Sequence, residues 1–130
     1  MIRLALIAGL LGLSQCGADE TVAGYGGAGR VWTLTELNGA PFDARATLTF
    51  PEDGKISGQA ACNGFSGPMT APYPWFEVGD MIVTRMACPD LDKETAYLQA
   101  LGQATQSEVA DDTLILSNDD GLEMVFKAFE

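Results

Sequence analysis

The sequence contains no histidine. Histidine is the usual general base for a serine or cysteine nucleophile and the commonest ligand of zinc. We therefore expect neither the familiar hydrolase triads nor a cofactor or metal. Basic residues are also scarce, because 7 Lys and Arg stand against 18 Asp and Glu, for a net charge of −11. Such a surface repels phosphate backbones, so nucleic acid is not expected as a partner.

The sequence also has no apolar run long enough to cross a membrane as a helix. The run from Leu4 to Leu13 holds about ten residues, whereas a bilayer of about 30 Å requires roughly 20. It follows the short positive start Met1-Ile2-Arg3. This arrangement predicts a secretory signal peptide over residues 1–15. The alternative is a buried N-terminal helix.

Cysteine is rare, and its number is odd: there are three. An odd cysteine in an exported protein requires an explanation. The leader ends in Leu13-Ser14-Gln15-Cys16, which resembles a bacterial lipoprotein signal, although a small residue is usual where Gln15 stands. We expect lipidation of Cys16 and thus anchorage to a membrane, which leaves Cys62 and Cys88 as a pair. Ordinary cleavage is the alternative.

Residues 16–29 are polar and then glycine-rich, which is typical of a flexible spacer. The segment Gly24–Gly29 matches the letters of the dinucleotide-binding pattern G-x-G-x-x-G. That pattern requires a strand before it and a helix after it. Here it follows a leader and precedes a predicted strand. The sequence therefore predicts a lipidated tether over 16–29 and one domain over 30–130.

Short alternating segments and turn residues indicate antiparallel β-structure after Gly29. One helix is predicted over about residues 90–103, where apolar side chains recur at helical spacing. We predict a mainly β fold, a small antiparallel barrel or a strongly curved sheet with this helix. The predicted strands lie near residues 30–37, 46–50, 55–61, 75–78, 81–84, 113–116 and 122–126.

Small residues are concentrated between Ser57 and Gly67. A strand with so few side chains lets another backbone approach closely, so we expect a junction there. Asn63 follows Cys62 within this segment, and its short amide favours a specified turn over a ligand site. The helix stripe of Leu91, Tyr97, Leu98 and Leu101 is expected to face the core.

The sequence contains two cysteine motifs, Cys62-Asn63-Gly64-Phe65-Ser66-Gly67 and Thr84-Arg85-Met86-Ala87-Cys88-Pro89. With the segment from Trp32 to Phe126 around them, they resemble the META domain, the HslJ-like group of small exported bacterial proteins. It implies an all-β, barrel-like fold with one helix, often tethered to the envelope by lipid. The domain is also similar to a secretion pilotin, a cracked barrel that holds lipid. The resemblance implies no established enzyme activity.

The cysteines of these motifs are expected to form a disulfide in an oxidising compartment, joining Cys62 to Cys88. A redox-active pair is the alternative, since Cys88 precedes the predicted helix. Such pairs usually have C-x-x-C spacing, which is not the spacing here.

We expect a monomeric, non-enzymatic META domain lipoprotein. It is expected to face the periplasm and to be anchored in the outer membrane. Its expected role is a stress-related interaction with an envelope protein, or the binding of a small apolar ligand. The candidate residues for this contact are Asn63, Phe65, Tyr73, Trp75, Phe76 and Arg85.

An envelope-polymer hydrolase is the alternative function. It would use the carboxylates of Glu77 and Asp80, which lie near Tyr73 and Trp75 in the sequence. The run from Asn118 to Asp120 is not expected to bind a metal, because the EF-hand pattern is not present.

Overall fold

The computed structural model describes residues 19–129. The predicted signal peptide and Cys16 lie outside the described residues. Within the described residues, a short 3-10 helix (Val22–Tyr25) precedes nine strands and one α-helix. In chain order these are β1 (Trp32–Leu37), β2 (Ala40–Pro41), β3 (Thr47–Leu48), β4 (Lys55–Ala60), β5 (Asn63–Pro68), β6 (Ile82–Val83), α1 (Leu91–Gln103), β7 (Gln106–Ala110), β8 (Thr113–Ser117) and β9 (Glu123–Ala128).

The strands form two antiparallel sheets. The larger has the order β2-β1-β9-β8-β7, with β3 paired to β1, and the smaller has the order β4-β5-β6. Two isolated bridges, Ala46 with Ala60 and Thr49 with Ser57, join the β3 region to β4. The mainly β fold with one helix is confirmed.

The described strands form no closed or strongly curled sheet, which differs from the predicted barrel. The short strands explain this difference. β3 and β6 each contain two residues, so the ladder hydrogen bonds end before either sheet can continue around the core. No helix among residues 19–129 is long and apolar enough to span a bilayer.

The strand prediction is wrong at several places in the middle of the chain, although the strand predicted near 81–84 is present as β6. The segment predicted as a turn around Asn63 is the start of β5, and the turn lies at Ala61 and Cys62, where Ala61 has φ 61°. β7 is also missing from the sequence prediction. The predicted strand at 75–78 contributes only isolated bridges, because Pro72 and Pro74 precede it and cannot donate ladder hydrogen bonds.

Tyr97 of α1 connects the helix to both sheets. Its ring lies 5.8 Å from that of Phe65 in the smaller sheet and 6.3 Å from that of Phe126 in the larger. Its hydroxyl donates a 2.8 Å hydrogen bond to the carbonyl of Thr47 in β3. Burial raises the pKa of this phenol. The core therefore forms where the helix lies against the two sheets.

The buried face of α1 differs from the predicted stripe. Tyr97, Ala100 and Leu101 are buried as expected of core residues. Leu91, however, is exposed, and Leu98 is only partly buried. Leu98 still packs against the edge of the core, so Leu91 is the member of the predicted stripe that lies away from it.

Gly58 explains why small residues accumulate in β4. A Cβ atom at this position would lie 2.0 Å from the carbonyl oxygen of Thr47, which is far inside any van der Waals contact. The close approach of two backbones that the sequence predicts is therefore present. It occurs where the bridges join the two sheets.

Residues 19–29 lie against the body, although the sequence predicts a flexible spacer there. Val22 is fully buried in the core. The indole N–H of Trp32 donates to the carbonyl of Gly27 at 2.9 Å, and the amide of Tyr73 donates to the carbonyl of Glu20 at 2.7 Å. The globular body therefore includes at least this part of the predicted tether.

Candidate functional site

The disulfide between Cys62 and Cys88 is present, with the two Cα atoms 5.8 Å apart. Cys62 lies in the turn between β4 and β5, and Cys88 lies just before α1. The bond therefore joins the hairpin of the smaller sheet to the segment that leads into the helix. This is the pairing that the sequence predicts.

Asn63 is buried beside this disulfide and binds the segment from Thr84 to Met86. Its side-chain amide donates to the carbonyl of Met86 at 3.0 Å. Its side-chain oxygen accepts from the Thr84 hydroxyl at 2.9 Å and from the Met86 amide at 2.6 Å. A buried polar group requires such partners. Asn63 therefore positions the second cysteine motif through its own hydrogen bonds.

Glu94 of α1 is the residue that sequence reasoning missed. Its side chain is buried. One carboxylate oxygen accepts from the amides of Cys62 at 3.0 Å and Asn63 at 2.8 Å, and the other accepts from the side-chain amide of Asn63 at 2.8 Å. An ionised carboxylate only accepts hydrogen bonds, so it matches these three N–H donors. Its position in the first turn indicated only a favourable interaction with the helix dipole.

A cleft of about 430 Å³ lies between the segment 83–87 and α1. We name it the helix cleft. Met86 is 64% exposed and Leu91 is 43% exposed at its surface. The exposed Arg85 adds a cation. The residues that line the helix cleft are Asn63, Val83, Thr84, Arg85, Met86, Ala87, Leu91, Glu94 and Leu98.

The structure does not bring the six candidate residues together. Phe65 and Phe76 are buried in the core, so they are not available as ligand contacts. Asn63 and Arg85 line the helix cleft. The remaining two lie at a second cleft of about 420 Å³, here named the Trp75 cleft, which is lined by Tyr73, Pro74, Trp75, Gln106, Ser107, Glu108, Ile115 and Ser117.

The carboxylates suggested for a hydrolase do not form a paired site. Glu77 and Asp80 are both exposed. Neither belongs to the residues that line the Trp75 cleft. Catalytic carboxylates of glycosidases face each other across one cleft, and one of them is shielded from water. The geometry therefore lacks the feature that would favour this alternative.

Another cleft, of about 780 Å³, lies around the turn after β8. Asn118 is used structurally there, since its side-chain oxygen accepts from the amides of Asp120 at 2.8 Å and Leu122 at 3.0 Å. Its side-chain amide donates to the carbonyl of Gln103. Within residues 19–129, no group of three or more His, Cys, Asp or Glu side chains has an arrangement suited to a metal ion.

Two carboxyls interact at another surface position, beside Thr21. Its hydroxyl donates to Asp19 at 2.6 Å and lowers the pKa of that carboxyl. A hydrogen bond with Asp19 raises the pKa of Asp53, and the charge of Asp19 acts in the same direction. Asp53 is exposed, so this pair does not have the shielding expected of a catalytic acid.

The META domain family matches residues 27–129. The chain therefore belongs to the META domain family. Its fold is similar to the NMR structure of a protein from Burkholderia xenovorans, at 25% identity and a TM-score of 0.65, over 83% of this chain and 87% of that one. It is also similar to the crystal structure of a DUF4847 family protein from Bacteroides vulgatus, at 16% identity and a TM-score of 0.66, over 82% of this chain and 96% of that one.

The second likeness, at this low identity, concerns the fold alone. No curated relative matches the chain. These comparisons establish the family and the architecture, and they name no activity for this chain.

Reduction of the disulfide should lower the free energy of unfolding by about 3–4 kcal/mol. The bond links residues separated by 26 positions, so its loss restores considerable freedom to the unfolded chain. Denaturant unfolding with and without reductant measures this change. The double variant Cys62→Ser/Cys88→Ser is the control, and its stability should not respond to reductant. Identical curves for the unmodified protein would contradict the prediction.

Glu94→Gln should lower the free energy of unfolding by about 2–3 kcal/mol. If the new oxygen faces the amides of Cys62 and Asn63, the new NH₂ group faces the side-chain amide of Asn63. Two donors then oppose each other inside the protein. Denaturant unfolding measures the loss.

The matched control is Asp92→Asn, since Asp92 is an exposed acid in the same first turn. It should cost less than about 1 kcal/mol, because the new amide oxygen can still accept from the backbone amide of Lys93 and only exposed charge interactions, with the helix dipole and Lys93, are lost. Equal losses in the two variants would show that the buried contacts of Glu94 contribute nothing.

Proposed function

We propose that this META domain protein is a non-enzymatic binding module of the cell envelope that holds a small apolar ligand in the helix cleft. The observation that carries the proposal is the exposure of Met86 and Leu91, which both line that cleft. Large apolar side chains at a concave surface provide the area that an apolar ligand can bury. Methionine adapts its shape readily to different ligands.

The cleft has a rigid frame on both sides. The backbone of Met86 is bound through its amide and its carbonyl by Asn63. Cys88 is covalently attached to the hairpin, and Glu94 attaches the helix to the same turn. A binding surface that is already ordered loses little conformational entropy when a ligand binds. This supports recognition by a preformed cleft.

The polar groups of the cleft favour binding over catalysis. The carboxylate of Glu94 accepts three hydrogen bonds from the protein itself. The hydroxyl of Thr84 donates to Asn63 and does not face a base. The absence of histidine from the sequence removes the most common activating partner. Arg85 can then orient an anionic or polar end of the ligand at the rim.

We place the protein at the periplasmic side of the outer membrane, as a monomer anchored through a lipid on Cys16. The body includes residues from Asp19 onwards, as the buried Val22 indicates. Three residues span at most about 11 Å, so this anchor would hold the domain close to the lipid surface. A module in this position suits a stress-related interaction with envelope components.

The apolar fluorophore N-phenyl-1-naphthylamine tests the helix cleft. The protein should increase its fluorescence in a saturable manner. The double variant Met86→Asp/Leu91→Asp should weaken binding at least about tenfold, because charges replace the apolar contacts. Val31→Asp is the control, since Val31 is 52% exposed and does not line this cleft. Absence of binding, or equal affinity in the double variant, would refute the proposal.

The lipid anchor is tested by mass spectrometry of the protein extracted from membranes. We expect an N-terminal peptide that starts at Cys16 and carries the mass of acyl chains. Cys16→Ser should move the protein to the soluble periplasmic fraction, because one anchoring signal is lost. An unmodified N-terminus downstream of Cys16 would show ordinary cleavage and exclude the anchor.

A further inference from the structure

Trp75 is a large aromatic side chain held at the surface by an ordered backbone. It is 55% exposed, whereas the next residue, Phe76, is buried in the core. The amide of Trp75 donates to the carbonyl of Pro72 at 2.7 Å, and the amide of Phe76 donates to the carbonyl of Thr105 at 2.9 Å. The backbone that carries the indole is therefore fixed by hydrogen bonds, and the indole itself is not part of the buried core.

The floor beside this indole is the outer face of β7 and β8. Gln106 pairs with Ser117 and Glu108 pairs with Ile115, while the alternating residues, such as Ser107, are buried. Side chains alternate between the two faces of a strand, so these four share the outer face. Trp75 itself forms a bridge with Gln106. The Trp75 cleft thus places the exposed indole, with Tyr73 and Pro74 beside it, next to a floor in which three of the four outward residues are polar.

This combination matches the two kinds of surface on a pyranose ring. One face of such a sugar carries C–H groups, which pack on an aromatic ring, and its edge carries hydroxyls. The carboxylate of Glu108 can accept from hydroxyls, and the hydroxyl of Ser117 can donate or accept. A wholly apolar ligand would instead cover these polar groups without replacing their hydrogen bonds to water.

The negative charge at the Trp75 cleft favours neutral saccharides over acidic ones. Among the described residues that line the Trp75 cleft there is no Lys or Arg, and Glu108 carries a negative charge. Asp119 adds a second carboxylate nearby, since it accepts from the side-chain amide of Gln106 at 3.0 Å. Acidic sugars would be repelled, as they would by the whole chain with its net charge of −11.

We propose that the Trp75 cleft binds a neutral saccharide chain, with the Trp75 indole stacked on one pyranose ring. Glu108 and Ser117 then contact the hydroxyls of that ring. This site is separate from the helix cleft and does not depend on the function proposed for it. A basic peptide is the rival occupant, because Glu108 and the nearby Asp119 would attract its charge. The exposed indole beside hydroxyl and amide groups favours a sugar over it.

The test uses three neutral trisaccharides, which are maltotriose, cellotriose and tri-N-acetylchitotriose. The protein contains two tryptophans, and the indole N–H of the fully buried Trp32 donates to Gly27. NMR should show saturable shifts of the Trp75 indole resonance with at least one trisaccharide, while the Trp32 resonance stays in place. We expect a dissociation constant of about 0.1–5 mM for such a small contact.

Matched variants make the test specific. Calorimetry should show binding weakened at least about tenfold in Trp75→Ala and largely retained in Trp75→Tyr, which keeps an aromatic face. Glu108→Gln should weaken it less, since an acceptor oxygen remains. Phe129→Ala is the control, because Phe129 is 68% exposed and lies outside the lining of this cleft. Unfolding curves establish that each variant is folded.

Three outcomes would overturn the proposal. The first is no shift of the Trp75 resonance with any of the three sugars at about 10 mM, which lies above the expected dissociation constant. The second is unchanged affinity in the folded Trp75→Ala variant. The third is equal or tighter binding of trigalacturonate or of a lysine tripeptide, which would assign the cleft to a charged partner.

Discussion

The buried carboxylate of Glu94 is the contact on which the arrangement of three chain segments depends. It attaches α1 to the turn between β4 and β5, and through Asn63 it reaches the segment that leads to Cys88. The disulfide closes the same group of contacts covalently. A buried polar group costs free energy unless it is hydrogen-bonded, so these contacts hold the helix, the hairpin and the second cysteine motif against one another.

In this assembly the polar side chains are engaged in internal hydrogen bonds, whereas several apolar side chains stay exposed. Asn63 and Glu94 bind each other and the backbone within the lining of the helix cleft. Met86 and Leu91 remain exposed in the same lining. The same separation occurs at Trp75, where Phe76 enters the core and the indole stays outside. Both clefts therefore carry an exposed side chain next to residues that are fixed by buried contacts.

The sequence could predict the features that depend on neighbours along the chain. The alternation at Leu114, Leu116, Met124 and Phe126 correctly indicated strands with those side chains inward. The helix and the close backbone approach near Gly58 were also foreseen, because spacing and residue size express them directly. β5 was missed, since the small and polar residues around Asn63 also suit a turn.

The sequence by itself determined a mainly β META domain with one helix and an acidic surface. It also contained two cysteine motifs whose cysteines were expected to form a disulfide. Only the tertiary structure decided that Glu94 is buried, that the strands form two bridged sheets with no closed barrel among the described residues, and that residues 19–29 belong to the body. It also divided the candidate residues between the core and two clefts. The physical reason is that burial and hydrogen bonding of these groups arise from segments far apart in the chain, as with Glu94 and Cys62, 32 positions apart.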